Sequence, residues 1–400
     1  MDYDFFDDRE YIERRNARRA LEREKQRKKK LFIRRATIVG VMLLILILII
    51  VLLVAGVKAL FGGGSDKKDP KETVAETVAA TEAQKTLSFN APDIPDDKEI
   101  EGYYSSGNSA VYIYNKAAYE LFAGTESSAT DYADCISEFK AQAGDSIKVY
   151  NMIVPNHIEF GIPHRLVDSG EIYSTNQVDN IKKIYESYTE DVIPINCYNE
   201  LSEHCKEYIY FNTDHHWTGL GAYYAYKAFC EQTDNKVLDL SVCTEHVVDG
   251  FEGSLLYCDG SLYENLDSVH FWTFPYSTYA MRTDNMGEEA YQTTVLYEGA
   301  TSGPYAYGAF IWGDCPLFVE YNEDLQNGKK IAIVKESYGN AIAPFFTANY
   351  EEVHVVDFRY FEGNLKDYCT TNGIDEVLFV NNIVAANAPI QVDRIRTLFD

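Results

Sequence analysis

Apolar and polar positions along residues 130–380 follow two alternating patterns. Short apolar runs between polar or glycine residues predict buried strands at 147–154, 191–196, 330–334, 353–357 and 376–380. The intervening segments have helical spacing and predict helices at 130–143, 176–188, 198–207, 218–231, 339–348 and 364–371. This order predicts an α/β fold with a mostly parallel sheet that helices cover on both faces.

Residues 243–325 interrupt the alternation. They are rich in Tyr, Gly, Ser and Asp and contain only short β-like runs, which predicts a β-rich insertion over one edge of the sheet. In a parallel sheet, binding and catalytic groups lie beyond the carboxyl ends of the strands. Residues that directly follow the predicted strands are therefore the first candidates for function.

The longest apolar run lies near the N-terminus, where residues 36–57 provide 22 positions without a charge, enough to span a bilayer. Residues 1–35 carry 13 Lys and Arg against 8 Asp and Glu, and basic residues are sparse after the run. The positive-inside rule then places the N-terminus in the cytoplasm and the C-terminal part outside the plasma membrane. A cleaved signal peptide is the alternative, but this run is too long and its leading segment too extended.

Four regions follow from these patterns: a cytoplasmic basic segment (1–35), one transmembrane helix (36–58), a disordered linker (59–96) and an extracellular domain (97–400). The linker begins with Gly-Gly-Gly-Ser and continues with Thr, Ala, Glu and Lys, so it has little to bury. The chain carries a net charge of −26, and the part after residue 35 carries about −31. This excludes a broad basic surface for nucleic acid.

All eight cysteines follow the predicted membrane span, on the outer side. An even number in an oxidising compartment permits disulfides, so we expect some cysteines to be paired and others to be buried thiols. Eight cysteines allow 105 pairings, and the sequence selects none of them.

The first motif is Asp214-His215-His216-Trp217, between a predicted strand at 208–211 and a helix that begins after Thr218, a typical N-cap. In an extended segment, residues two apart share a face, so Asp214 and His216 would point the same way. That arrangement suits a carboxylate that orients a general base. A structural turn or a metal-ligand pair are the alternatives. His215 with Asp214 or His204 lacks a third metal ligand at suitable spacing, so we expect no metal.

The second motif is Lys335-Glu336-Ser337-Tyr338-Gly339, where an apolar strand stops and a small-residue segment leads into a helix. Ser337 would then lie at a strand carboxyl end and a helix N-terminus together, where backbone N–H groups can stabilise an oxyanion. Gly339 leaves room for close approach. A helix N-cap is the alternative role for this serine.

The two motifs together resemble the DHHW protein family, which is similar to the alginate O-acetyltransferases AlgJ and AlgX. The resemblance covers most of residues 100–400 and implies an SGNH-hydrolase-like three-layer α/β/α sandwich. It implies a catalytic triad of Ser337, His216 and Asp214. An asparagine after a later strand would assist the oxyanion, and Asn382, or its neighbour Asn381, fits that position. Glu336 stands where the family more often has Asp.

Three further residues complete the predicted oxyanion and substrate-binding set. Tyr338 follows the nucleophile, and Asn156 follows the 147–154 strand with His157 at the same sheet edge. Trp217 either packs under the motif or stacks on a sugar. No cofactor is expected.

The resemblance implies O-acylation, most simply O-acetylation, of a cell-envelope or exported polysaccharide. Ser337 would carry the acyl group, and a sugar hydroxyl would take it. A membrane-bound O-acyltransferase would supply that group, because acetyl-coenzyme A is absent outside the cell. Two other classes remain open, a carbohydrate acetylesterase and a non-catalytic glycan-binding or envelope-binding protein.

The predicted topology has a direct test. Protease added outside intact cells should digest residues 90–400, because the positive-inside rule places them beyond the membrane. Immunoblotting against the C-terminal domain measures the loss. Full protection of that domain in intact cells, with digestion after permeabilisation, would overturn the topology.

Overall fold

A computed structural model describes residues 87–399, and an eight-stranded sheet is the centre of this part of the chain. The strands are β1 (Tyr103–Tyr104), β2 (Val111–Tyr114), β3 (Ala117–Glu120), β4 (Lys148–Val154), β5 (Val192–Pro194), β6 (Thr244–Phe251), β7 (Asp267–Thr273), β8 (Thr278–Thr283), β9 (Tyr291–Thr293), β10 (Leu317–Asn322), β11 (Lys330–Lys335), β12 (Glu352–Asp357) and β13 (Glu376–Asn382). The helices are α1 (Glu126–Ala143), α2 (Ile158–Gly161), α3 (His164–Asp168), α4 (Gln177–Glu186), α5 (Tyr198–Glu203), α6 (Gly219–Gln232), α7 (Gly339–Ile342), α8 (Leu365–Asn372), α9 (Ile383–Ala386) and α10 (Pro389–Arg396).

The sheet order is β5-β4-β13-β11-β12-β10-β8-β9. The first five strands are parallel, and they are the five that the apolar runs predict. The last three pair antiparallel at one edge. The mixed α/β fold and its parallel core therefore agree with the sequence pattern, because β4, β11, β12 and β13 are buried at every residue but the first.

Two helical layers cover opposite faces of the sheet. Tyr150 on β4 packs edge-to-face against Phe229 of α6, with ring centroids 5.2 Å apart. Phe379 on β13 packs against Phe139 of α1 at 5.4 Å, and the register pairs Phe379 with Asn151, the residue after Tyr150. Because successive side chains point to opposite faces, α1 and α6 lie on different sides. The result is a three-layer α/β/α arrangement.

The insertion at 243–325 differs from its prediction. It was expected over one edge of the sheet, but its strands β8, β9 and β10 extend the sheet beyond β12, and only β6 and β7 form a separate pair. An antiparallel strand can join an edge through short connections, and it also covers the exposed N–H and C=O groups of β12.

A small hairpin, β1–β3, precedes the main sheet and was not predicted. Asn115 and Lys116 join β2 to β3 with φ of 48° and 60°, the left-handed pair that a two-residue hairpin turn needs. One face of the hairpin packs on Ile158 and Leu166 beside the sheet. Ala118 N–H donates to Asn212 O at 2.7 Å, so the hairpin lies directly against the first motif.

The expectation of disulfides is wrong, and all eight cysteines lie within the described residues. Seven are free thiols, and the Sγ of Cys135 lies 3.7 Å from Val392 O. The free thiols are Cys197, Cys205, Cys230, Cys243, Cys258, Cys315 and Cys369. Most are buried, where a thiol behaves as a small apolar side chain.

The membrane prediction concerns a different part of the chain. Between residues 87 and 399, no helix has the length and apolar character needed to cross a bilayer. The predicted span at 36–57 lies outside these residues, as do the cytoplasmic segment and most of the linker.

Four charged side chains, of which Lys335 and Asp357 are fully buried, join the carboxyl ends of β11 and β12 to the insertion. Lys335 is fully buried, and its Nζ lies 2.8 Å from Asp357 and 3.6 Å from Asp314. Arg359 contacts the same two carboxylates at 2.6 and 2.8 Å. Burial alone would lower the pKa of Lys335, but Asp357 and Asp314 outweigh it and raise that pKa. Two cations thus neutralise two anions below the second motif.

Lys335→Met should destabilise the protein by about 3–5 kcal/mol, because it removes the ammonium that pairs with the fully buried Asp357 and leaves Asp357 and the partly exposed Asp314 to a single arginine. The matched control is Lys148→Met on β4, whose exposed ion pair with Glu376 spans 3.6 Å and should contribute about 0–1 kcal/mol. Urea unfolding of both variants compares their midpoints. Equal midpoints would show that the buried network does not hold the strand ends together.

Candidate active site

Ser337 is the partly exposed residue of an otherwise buried segment. Of residues 331–347, it alone is not buried. The chain turns sharply after β11, since Gly339 N–H donates to Glu336 O at 2.9 Å and Asn340 N–H donates to Ser337 O at 3.2 Å. The Glu336 carboxylate accepts the N–H groups of Tyr338 and Asn382, at 2.9 and 2.8 Å. Glu336 therefore fixes the serine turn to the end of β13.

The first motif is shaped by a carboxylate from the insertion. Asp267, at the start of β7, accepts hydrogen bonds from the N–H groups of Asn212 and Thr213, both at 2.7 Å. It also accepts the Thr213 hydroxyl at 2.5 Å and the Tyr208 hydroxyl. The predicted strand at 208–211 is absent: only Tyr210 forms an isolated bridge, with Trp217, and residues 212–216 are bends. Backbone bonds from Phe211 N–H to His216 O and from Thr218 N–H to Ile209 O fold the segment back on itself, and Asp267 holds the turn between them.

Asp214 and His216 meet by a local turn rather than by sharing a strand face. Asp214 Oδ1 accepts the backbone N–H of His216 at 3.0 Å and lies 2.5 Å from His216 Nδ1. Asp214 Oδ2 accepts Ser254 N–H at 2.7 Å. The two-residue spacing thus brings the pair together, but through an Asx-type turn.

His216 Nε2 lies 2.7 Å from Ser337 Oγ, although the two residues are 121 positions apart. Burial opposes ionisation of Asp214, but His216, His215 and the Ser254 N–H together hold its pKa well below the usual range. An ionised carboxylate only accepts hydrogen bonds, so His216 Nδ1 carries the proton and a neutral His216 has an unprotonated Nε2. That nitrogen can accept the proton of Ser337.

The insertion also places an aromatic ring on the histidine. Tyr307 stacks on His216 with centroids 4.3 Å apart and planes 17° from parallel, and its hydroxyl donates to Ser337 O at 3.1 Å. It therefore restrains both ring and serine turn. Sequence reasoning missed Tyr307, Asp267 and Ser254, because no local spacing distinguishes them from other Tyr, Asp and Ser residues of 243–325.

Trp217 and Tyr338 support the site from below. Trp217 is fully buried, so it cannot stack on a sugar, and its Nε1 donates to Tyr338 O at 3.0 Å. Tyr338 is buried as well, and its hydroxyl donates to His215 O. Each side chain connects one motif to the other. For Trp217 this is the packing alternative, and for Tyr338 it is a structural role in place of the expected substrate contact.

The residues predicted to stabilise the oxyanion have different roles in the structure. Gly339 N–H is already bonded to Glu336 O, and a Cβ at this position would lie 2.3 Å from Lys335 Cβ, so Gly339 makes room for the buried lysine. Asn381 faces α1, where its Oδ1 accepts the Tyr132 hydroxyl at 2.6 Å. Asn382 lies beside Glu336, and its Nδ2 is 3.4 Å from Val154 O, a long contact that occupies one of two N–H groups. Asn382 can thus still donate to an oxyanion.

Asn156 does not face the serine. Its Nδ2 donates to Glu120 O at 3.1 Å and its Oδ1 accepts Gln177 Nε2 at 2.5 Å. These two hydrogen bonds hold the end of β3 beside the site. Asn156 therefore has a supporting role instead of the expected direct contact with substrate.

Asp214, His215 and His216 have ligand atoms within 4.8 Å of one another, which is a donor set that a metal ion could use. Asp214 and His216 already bond to each other, and Asp214 also accepts the Ser254 N–H. Metal binding and the serine–histidine–aspartate chain are therefore competing uses of the same side chains.

Comparison with known proteins agrees with the motifs. The model of the DHHW protein family matches residues 94–356. A DHHW family protein from Eubacterium siraeum DSM 15702 superimposes with a TM-score of 0.67 and 28% identity, over 75% of this chain and 99% of that one. No curated protein sequence matches.

Two other solved structures match at lower identity. Bacillus cereus PatB1 with a sulfonyl adduct has a TM-score of 0.57 and 18% identity, over 70% of this chain and 96% of that one. The O-acetyltransferase domain of Pseudomonas putida AlgJ has a TM-score of 0.41 and 11% identity, over 74% and 99%. PatB1 shows a shared fold. The family model spans well over half of the chain, and the protein therefore belongs to the DHHW protein family.

Proposed function

We propose that the protein is a membrane-anchored, extracellular O-acyltransferase, most simply an O-acetyltransferase, that acts on a cell-envelope or exported polysaccharide. The observation that carries this proposal is the continuous chain from Asp214 through His216 to the partly exposed Ser337, with contacts of 2.5 and 2.7 Å. Such a chain converts a weakly nucleophilic hydroxyl into one that can take an acyl group.

The first half-reaction acylates the serine. His216 Nε2 accepts the Ser337 proton while Ser337 Oγ attacks the acyl carbonyl of the donor. The donor's own ester or thioester bond breaks, and its leaving group takes the proton from His216. In this proposal Asn382, whose Nδ2 uses one N–H group on Val154 O, donates its other N–H group to the negative charge on the carbonyl oxygen.

The second half-reaction regenerates the enzyme. A sugar hydroxyl loses its proton to His216 as its oxygen attacks the acyl-Ser337 carbonyl. The Ser337 ester bond breaks, and Ser337 recovers the proton from His216. Water in place of the sugar would give hydrolysis, which is the acetylesterase alternative. Buried Asp214, held in its ionised form, stabilises the imidazolium that forms in each half-reaction.

The predicted location supports transfer with a membrane partner. A helix at 36–58 and a linker at 59–96 would keep the domain near the outer surface of the plasma membrane, with the N-terminus in the cytoplasm. A membrane-bound O-acyltransferase could then pass acyl groups to Ser337. The resemblance of the two motifs to O-acetyltransferases favours transfer over hydrolysis.

Incubation of the purified protein with an activated acetyl ester should add the mass of one acetyl group to Ser337, because this hydroxyl is activated and partly exposed. Mass spectrometry of intact and digested protein measures the adduct. An aryl sulfonyl fluoride should modify the same residue, in line with the sulfonyl adduct on PatB1.

Ser337→Ala should abolish the adduct, and His216→Ala should form it only slowly. The control is Ser254→Ala, which loses an exposed hydroxyl but keeps the backbone N–H that holds Asp214. It should still become acetylated. Absence of any adduct on correctly folded protein would favour the non-catalytic glycan-binding alternative.

Asn382→Ala should lower kcat for ester turnover by about 10²–10³, the usual effect of removing one oxyanion donor. Asn381→Ala is the matched control, since its amide lies on the opposite face against α1. Steady-state kinetics below the melting temperature of each variant separates catalysis from stability. An unchanged kcat in Asn382→Ala would remove this asparagine from the mechanism.

A further inference from the structure

One histidine on the exposed side of the triad has no part in the proton transfers. The side chain of His215 is about one-third exposed, its Nδ1 lies 2.7 Å from Ser254 Oγ, and its ring centroid is 3.9 Å from that of His216. Its Nε2 forms no hydrogen bond with any residue between 87 and 399. Burial and the adjacent His216 lower the pKa of His215, so at pH 7 it is a neutral side chain with hydrogen-bonding capacity to spare.

The second group is Glu120, at the end of β3. Ala118 and Glu120 share one face of the hairpin, because residues two apart on a strand point the same way. Ala118 on that face packs against Leu255 and Leu256, in the segment that carries Ser254. Asn156 Nδ2 donates to Glu120 O and anchors the strand end. The hairpin thereby brings the Glu120 carboxylate to the side of the site where His215 lies.

The environment of Glu120 is that of a ligand-binding carboxylate rather than of a structural ion pair. Burial raises the pKa of its carboxyl, the nearby His215 opposes that shift, and the charge of Asp214 adds to it. Within residues 87–399, the carboxylate has neither a cationic partner nor a hydrogen-bond donor. By contrast, Lys116 on the same hairpin pairs with Glu264 at 2.8 Å.

We propose that Glu120 and His215 form the acceptor subsite and bind hydroxyl groups of a neutral saccharide beside Ser337. A carboxylate only accepts hydrogen bonds, and sugar hydroxyls donate them, whereas an acyl ester or thioester offers only acceptor oxygens. Glu120 therefore suits the acceptor and not the acyl donor. The role of this subsite in transfer rests on the proposed function, but the binding it predicts does not.

The charge of the surroundings restricts the saccharide. Residues 244–310, which supply Ser254 and Tyr307, contain ten Asp and Glu and a single cation, Arg282. Arg282 is already occupied, because its guanidinium bonds to Asp284 and to the carbonyl groups of Ile311 and Trp312. Among these ten carboxylates, only Glu264 and Asp284 pair with a Lys or Arg between residues 87 and 399. A phosphate-bearing or uronate polymer would therefore meet net negative charge here, and the subsite selects against anionic acceptors.

The test measures binding without acyl chemistry. The full-length protein in detergent carries Ser337→Ala, and ligand-observed NMR titration gives the Kd for cellotetraose and for tetragalacturonate. Adding Glu120→Gln should weaken cellotetraose binding about tenfold, the effect of losing one charge-assisted hydrogen bond. Adding Glu264→Gln, a surface change near the same hairpin, should leave the Kd unchanged.

Equal cellotetraose affinity with and without Glu120, no binding of cellotetraose at all, or tighter binding of tetragalacturonate would each overturn the acceptor subsite. A separate measurement identifies failure of the proposed function. The wild-type protein with an activated acetyl ester, in the absence of any saccharide, should form acyl-Ser337. If the wild type itself forms no acyl-Ser337, the chemistry fails, and the Kd values still decide the subsite.

Discussion

The charge network around Lys335 is the constraint on which the position of Ser337 depends. A fully buried ammonium two residues before Ser337 is stable only because Asp357 and Asp314 lie beside it and Arg359 balances their second charge. The network joins β11, β12 and the insertion at one point. It also dictates Gly339, since the lysine stem occupies the space of a Cβ. The position of Ser337 is thus set by electrostatics and packing below it.

The insertion is part of the candidate active site rather than an appendage to the sheet. It supplies Asp267 to shape the first motif, Ser254 N–H to hold Asp214, and Tyr307 to cover His216. It also supplies Asp314 from a loop in which Ile311 and Trp312 both have positive φ. This conformation is strained for Ile311, which is β-branched. Hydrogen bonds from Arg282 to the two carbonyl groups hold that loop in place.

The sequence predicts what short-range periodicity controls. The five parallel strands and the exposed position of Ser337 follow from apolar runs that stop at polar residues. The strand at 208–211 fails because a distant carboxylate, Asp267, takes the N–H groups that follow it. The β1–β3 hairpin was not predicted, because its turn residues are Asn115 and Lys116 and include no glycine. Tyr307 and Glu120 acquire their roles only from long-range packing, which no local pattern encodes.

The separation of the two motifs has a consequence for how the protein matures. His216 and Ser337 are 121 residues apart, and the segment between them must first form β6–β10 and bring Asp267, Ser254 and Tyr307 into place. Contacts of such long range carry a large loop-closure entropy and tend to form late in folding. A partly folded chain would hold the serine as an ordinary hydroxyl. Reactivity at Ser337 would therefore indicate that folding is complete. Partly folded copies would not react with polymers around them.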